Sequence, residues 1–132
     1  MEILSISIDK EDLKQLEKAQ KRLGFKSRSK MLRSAVLSLL NDYERLDSLS
    51  GNVESVFVLA YGESNKNRVS DMLHGFKDAI ATETHHHHPN TCIDVLSIHT
   101  TAKKTRELFG LLKQSKWVHS VTYAVIGEAG KV

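Results

Sequence analysis

Four consecutive histidines are the side chains in this sequence best suited to chemistry. They occupy positions 85–88, and neutral imidazole nitrogens bind nickel, copper, zinc and cobalt. An engineered tag usually stands at a terminus, whereas this run lies in a predicted strand that turns at Pro89-Asn90. We therefore treat the four histidines as candidate metal ligands.

A metal site here needs more ligands than the run supplies on one face. Alternate side chains of a strand share a face, so His85 and His87 lie on one side and the other two histidines on the opposite side. His99, on the neighbouring predicted strand, is the first additional candidate. The predicted metal ligands are therefore His85, His87 and His99. Cys92 and His119 are further candidates, although a lone cysteine more often packs in the core.

A run of basic residues is the second chemical feature. Seven lysines and arginines lie between Lys18 and Arg33, and no acid follows until Asp42. The net charge of the whole chain is only +3, so the distribution of charge carries more information than the total. A charge run is often no more than a solvated helix face. This one spans a turn and both flanking helix ends, which concentrates positive potential where phosphates can bind.

A short strand is predicted to precede the basic run. Residues 2–8 alternate as a half-buried strand does. The inward face carries Leu4, Ile6 and Ile8, and the outward face carries Ile3, Ser5 and Ser7. A lone strand leaves both edges unpaired, so the segment predicts a dimer in which two copies pair these strands antiparallel. The resulting two-stranded ribbon fits the major groove of DNA.

Two helices are predicted after this strand. Asp9 stands as the N-cap of a helix over residues 10–23. Ser27 or Ser29 caps a second helix over residues 28–47, whose apolar positions form one broad stripe.

The first segment resembles the ribbon-helix-helix family of prokaryotic repressors. The likeness is carried by Leu4-Ser5-Ile6-Ser7-Ile8-Asp9, Leu13, Gly24-Phe25 and Arg28-Ser29. It implies that bases are read by the outward strand residues Ile3, Ser5 and Ser7. It also implies that phosphates are contacted around the second helix start, by Lys26, Ser27, Arg28, Ser29 and Lys30. The alternative is a strand-first dimerisation domain that does not bind DNA.

A polar stretch near residue 50 marks a boundary between two predicted domains, residues 1–48 and 53–132. In the second domain the element order is βαββαβ, which predicts an α+β protein with a ferredoxin-like domain. The predicted elements are a strand over 53–61, a helix with Val69, Met72, Leu73, Phe76 and Ile80 on one face, strands over 82–88 and 92–99, a helix capped by Thr101, and a strand over 117–126.

Taken together, the two segments and the histidine run resemble the nickel-responsive NikR-type regulators. In that family a histidine of the run in one subunit joins a His-x-His pair and a cysteine from another subunit in a nickel site. The resemblance places these four ligands at His85, Ser97, His99 and Thr105. Ser97 and Thr105 therefore replace two family ligands, and hydroxyls are poor ligands for such a metal.

The resemblance implies an effector-controlled regulator that binds a double-stranded DNA operator. The expected assembly is a dimer through the ribbon and a tetramer through the C-terminal domains. Three alternatives stay open for the effector. It is a divalent transition metal, nickel or another, at an altered site, or a non-metal small ligand at the ACT-like interface, or the protein is a ligand-independent repressor.

Other function classes find little support in the sequence. There is no secretory signal and no apolar run long enough for a membrane span, so we expect a cytoplasmic protein without membrane association. Phosphate-loop and nucleophile motifs are missing, so we expect no enzyme. The strongest enzymatic rival is a histidine-rich metallohydrolase.

Overall fold

The computed structural model describes residues 1–128. The chain divides into two compact units, the first over Met1–Tyr43 and the second beginning at Glu44. Among the described residues no helix has the length and apolar character needed to cross a membrane.

The two N-terminal helices have the predicted bounds: α1 covers Lys10–Leu23 and α2 covers Arg28–Asp47. Gly24 ends α1 with a φ of 76°, a left-handed conformation that glycine adopts without steric cost. Ser27 rather than Ser29 caps α2, because its Oγ accepts the backbone N–H of Lys30 at 3.1 Å. Asp9 occupies the N-cap position of α1, but its side chain makes no capping hydrogen bond.

The strand predicted over residues 2–8 is not formed within one chain. Residues 1–9 belong to neither helix nor strand, and all of them are exposed. Ile3 and Leu4 are 93% and 86% exposed. A strand is defined by hydrogen bonds to a neighbouring strand, and no segment within residues 1–128 of the same chain pairs with this one.

The second unit is a four-stranded antiparallel sheet with helices, in the strand order β2-β3-β1-β4. Its elements in chain order are β1 (Asn52–Gly62), a 3₁₀ turn (Glu63–Asn65), α3 (Lys66–His74), β2 (Ile80–His88), β3 (Thr91–Thr101), α4 (Ala102–Gln114) and β4 (Val118–Glu128). This is the predicted βαββαβ order of a ferredoxin-like domain, and the α+β fold class is confirmed.

One face of this sheet forms the core. Burial alternates along β1 and β3, so every second side chain points toward the core. The wholly buried side chains include Phe57, Leu59 and Leu96 of the sheet and Leu108 and Leu112 of α4. Thr101 caps α4 by accepting the backbone N–H of Lys104 at 3.2 Å, as predicted.

The prediction that Ile80 extends the apolar face of α3 is wrong. The helix ends at His74, and Ile80 is the first residue of β2. The backbone N–H groups of Phe76 and Lys77 bond to the carbonyls of Leu73 and His74, which tightens the chain into successive turns. Apolar spacing of three and four residues continues past the helix because both the turn and the strand pack against the same core.

Replacing Leu108 by alanine tests this core. The side chain is wholly buried in α4, so its loss should lower the free energy of unfolding by about 2–5 kcal/mol. The neighbouring exposed Glu107 provides the control, because Glu107→Ala should change stability by less than about 0.5 kcal/mol. Urea unfolding followed by the fluorescence of Trp117, the single tryptophan, measures both variants. Equal effects would contradict the assigned core.

Candidate metal centre and nucleic-acid interface

A two-residue turn sets the register of the β2–β3 hairpin that carries the histidine run. Pro89-Asn90 joins the strands, and Asn90 adopts a φ of 64°. In the resulting ladder His85 lies opposite Asp94, and His87 lies opposite Cys92. Residues directly opposite in an antiparallel pair share a face, so all four side chains belong to the face that packs against the core.

This register gathers three potential metal ligands. One nitrogen of His85, one nitrogen of His87 and the Sγ atom of Cys92 all lie within 4.8 Å of one another. Cys92 is wholly buried, whereas the His87 side chain is 49% exposed. Two imidazoles and a thiolate are donors that suit nickel, cobalt, zinc and copper better than magnesium or calcium.

A buried carboxylate holds one of these imidazoles. The Nδ1 atom of His85 lies 2.5 Å from Oδ1 of Asp94, whose side chain is only 3% exposed. The Tyr61 hydroxyl donates a hydrogen bond to Oδ2 of the same carboxylate at 2.8 Å. Burial, followed by the hydrogen bond to Asp94, raises the pKa of Tyr61 well above its ordinary value, so the phenol stays protonated and keeps donating.

The second imidazole lies close to a glutamate at the end of β1. Nε2 of His87 is 3.7 Å from Oε1 of Glu63, and both side chains are about half exposed. The backbone N–H of Glu63 donates to the Asn90 carbonyl at 3.1 Å, which ties the 3₁₀ turn to the hairpin turn. Glu63 is therefore a further oxygen donor beside the cluster.

One chain does not bring His99 to His85 and His87. His99 pairs with Glu54 near the other end of β3, and its Nδ1 atom is 3.4 Å from Oε1 of that glutamate. It is five positions from Asp94, a separation of roughly 17 Å along a strand. Odd spacing also places His99 on the opposite sheet face. His99 can therefore join the other two only from another chain.

The two positions at which the family would carry its other ligands do not fit a metal. Thr105 is wholly buried, and its Oγ1 donates to the carbonyl of Thr101 at 2.9 Å within α4. Ser97 lies on the same sheet face as His99, away from the His85 cluster. Neutral hydroxyls are poor donors for a transition metal, so the set that fits such an ion is His85, His87 and Cys92.

From its residue type, Cys92 is expected mainly in the core, and residue types alone predict no role for Tyr61, Glu63 or Asp94. For Cys92 and Asp94, the sequence does contain a signal. Pro89-Asn90 is a two-residue hairpin turn, and counting outward from it places Cys92 opposite His87 and Asp94 opposite His85. Tyr61 and Glu63 gave no comparable signal, because their proximity depends on how β1 pairs with β3.

The predicted phosphate contacts cluster at the start of α2. Lys26, Arg28, Ser29 and Lys30 are exposed there, and Ser27 is partly buried because its hydroxyl caps the helix. The guanidinium of Arg28 is also engaged within the chain, since Nη2 lies 3.3 Å from Oε1 of Glu17. A phosphate at this helix start would compete with Glu17 for Arg28.

The first unit also exposes the apolar side chains that were predicted to be buried in a dimer. On α2 these are Val36, Leu39, Leu40 and Tyr43, and in the N-terminal segment they are Leu4, Ile6 and Ile8. The predicted base-reading residues Ile3, Ser5 and Ser7 are exposed as well. Apolar surface of this extent on a small unit marks an interaction site.

Two family models match the chain. The model described as "Ribbon-helix-helix protein, copG family" matches residues 2–43, and the model described as "NikR C terminal nickel binding domain" matches residues 56–126, more than half of the chain. The 42 and 71 residues matched fall in the two segments that the sequence analysis separated.

Several curated proteins are similar along most of their length, and each carries the name "Putative nickel-responsive regulator". The protein from Methanocaldococcus jannaschii is 24% identical over 136 residues, covering 100% of this chain and 96% of the relative. Those from Dictyoglomus turgidum and Chlorobaculum parvum are 25% and 29% identical, covering 91% and 82% of both chains, respectively.

A solved structure shares its fold with part of this chain. It is that of an uncharacterized protein, TM1266 from Thermotoga maritima, with a TM-score of 0.53 and 20% identity. The match covers 58% of this chain and 99% of that chain.

The relatives are named as regulators, which confirms the prediction that the chain is not an enzyme. The ribbon-helix-helix match, the NikR-type C-terminal match and the similarity along nearly the whole chain agree with one another. This chain belongs to the family of NikR-like nickel-responsive regulators.

Proposed function

We propose that this chain is a DNA-binding transcriptional regulator whose affinity for its operator is set by a divalent transition metal, nickel being the first candidate. Residues 1–48 form the DNA-binding domain and residues 53–132 form the regulatory domain, of which 129–132 lie outside the described residues. The protein acts in the cytoplasm. The observation that carries the proposal is the cluster of metal-ligating side chains in a domain that matches the nickel-binding family model. The relatives named as nickel-responsive support the same effector.

The DNA-binding form is a dimer held by residues 2–8 of two chains. Pairing these segments antiparallel satisfies the backbone groups that a single chain leaves open, and it buries the inward side chains Leu4, Ile6 and Ile8. The outward residues Ile3, Ser5 and Ser7 then face the major groove, where small hydroxyls reach base edges and Ile3 reaches a thymine methyl group. The α2 start supplies the phosphate contacts.

The regulatory domains join two such dimers into a tetramer. The centre of the sheet face opposite the core is apolar and only partly covered, with Val58 opposite Val95 and Ala60 opposite Ile93. A second domain packed on this face would bury these side chains. An effector that binds the assembled core better in one arrangement of the dimers shifts the equilibrium toward that arrangement.

The metal ligands within this proposal are His85 and His87. His99, the third ligand predicted from the sequence, lies on the other sheet face and could reach such an ion only from another subunit. A bound ion would link His85 and His87 through bonds to the metal.

A different effector is the second candidate, and one observation favours it. Thr105 and Ser97 stand where the family resemblance places metal ligands, and the Thr105 hydroxyl is already committed to the α4 backbone. A small non-metal ligand at the ACT-like interface, or a repressor without a ligand, accommodates these replacements. Dependence of DNA binding on metal separates the two candidates.

Nickel should tighten binding to an operator selected from a pool of random duplexes. We expect a coupling of about 5–150-fold between the metal-free and nickel-loaded protein in gel retardation, reversed by a chelator. His85→Ala should remove the nickel effect, whereas His74→Ala, at an exposed helix position outside the cluster, should keep it. Equal affinity of the wild-type protein with and without nickel would contradict metal control.

Lys26→Ala and Lys30→Ala should each weaken binding to operator and random DNA about equally. Each lysine that contacts a phosphate releases counterions, so its loss should flatten the slope of log affinity against log salt by about one unit. Fluorescence anisotropy between low and moderate salt measures the slope. Lys113→Ala removes an exposed lysine of α4 and should leave it unchanged. An unchanged slope in both N-terminal variants would count against phosphate contacts there.

Replacing Ser5 and Ser7 together by alanine should reduce discrimination between operator and random DNA rather than the affinity for DNA in general. Two lost hydrogen bonds to bases should reduce the ratio of operator to random affinity by about tenfold or more, since each good base contact contributes about 1–3 kcal/mol. Random-DNA affinity should stay constant, because the phosphate contacts are intact. Ser48→Ala, at an exposed position outside the N-terminal segment, is the matched serine control. If the ratio does not change, these serines do not read bases.

A further inference from the structure

We propose that each subunit carries a complete metal site of its own, in which His85, His87 and the thiolate of Cys92 bind a divalent transition metal on the core-packed face of the β2–β3 hairpin. The regulatory role of this site rests on the proposed function, which it deepens. The existence of the site rests only on the placement of side chains within a single chain.

The first support is the spacing of the three donors. Their ligand atoms already lie within 4.8 Å of one another, and tetrahedral coordination with metal–nitrogen and metal–sulfur bonds of ordinary length needs separations of roughly 3.3–3.6 Å. The hairpin register already places all three on one face. Binding an ion would draw these three ligand atoms closer together.

The second support is the group behind His85. Asp94 contacts Nδ1 of this imidazole, and Tyr61 fixes the carboxylate from the other side. A carboxylate that accepts the Nδ1 proton leaves the lone pair of Nε2 free for a metal, which is how metal-binding histidines are usually oriented. Packing of an apolar core does not call for a buried carboxylate that contacts a histidine at the surface. Asp94 is thus a positioning residue for His85.

The third support is the position of Cys92. A lone buried cysteine usually serves packing alone, but this one lies directly across the ladder from a histidine, beside the hairpin turn. On binding, the thiol loses its proton to solvent and the sulfur donates an electron pair to the metal. The thiolate and two imidazoles select a borderline ion such as zinc, cobalt or nickel. Glu63, beside His87, offers a fourth donor.

Cobalt(II) is the probe that tests this site, because its absorption spectrum reports the ligands. Titrating cobalt into the full-length protein should produce a sulfur-to-cobalt charge-transfer band in the near ultraviolet, and Cys92 is the single cysteine that can cause it. Cys92→Ala should lose the band and bind cobalt more than about tenfold more weakly. Removing a residue that only orients a ligand already weakens metal binding by about tenfold or more, so removing a ligand should weaken it at least as much. His99→Ala should keep both the band and the affinity.

Asp94→Asn separates positioning from simple packing. It should weaken cobalt binding by about 10–100-fold while the charge-transfer band persists at saturating cobalt. The wild-type titration remains informative even if a variant does not fold. If the wild-type protein binds cobalt without a charge-transfer band, the site is overturned. Loss of the band in His99→Ala would overturn it as well.

The regulator proposal and the site inference fail in different ways. A thiolate band together with operator affinity that nickel does not change supports the site and removes metal control from the regulator proposal. Nickel-dependent operator binding that His99→Ala abolishes, in a protein without the band, overturns the site and leaves the regulator proposal intact.

Discussion

The register of one hairpin is the constraint on which the proposed effector site depends. Because side chains alternate along a strand, a slip of one residue would move His85 and His87 to the face opposite Cys92 and Asp94. The two-residue turn at Pro89-Asn90 prevents that slip by fixing which residues pair. Three metal-ligating side chains and the carboxylate that orients one of them then meet without any long-range loop. The rest of the sheet supplies the buried wall that keeps Asp94 and Cys92 away from water.

The N-terminal unit presents a different physical problem. Its first segment and its second helix expose apolar side chains that a lone chain cannot cover, and its backbone at residues 1–9 pairs with no strand in the described part of the chain. The proposed pairing with a second copy would answer both needs at once and would form the two-stranded ribbon. In the proposed function, metal binding at the hairpin controls the affinity for DNA and the ribbon determines which DNA sequence is bound. The free energy that would couple them is the difference in metal affinity between the two proposed arrangements of the assembly.

Sequence patterns predicted the helices well where local chemistry decides their ends. The glycine after α1 and the serine before α2 fixed both bounds, since each satisfies backbone groups within a few residues. The end of α3 was missed because the apolar spacing continues through a turn into β2, so periodicity alone does not show where a helix stops. For the metal site, His85 and His87 were identified from residue type. Cys92 and Asp94 required pairing between strands, and Tyr61 required a third strand, which composition and periodicity do not specify.

The location of the bound metal tests the account most directly. Crystals of the full-length protein grown with nickel, with diffraction recorded on both sides of the nickel absorption edge, would place the ion by its anomalous signal. The account predicts one peak in each subunit, within bonding distance of His85, His87 and the Cys92 sulfur of the same chain. A peak between subunits that contacts His99 and leaves Cys92 unbound would contradict it.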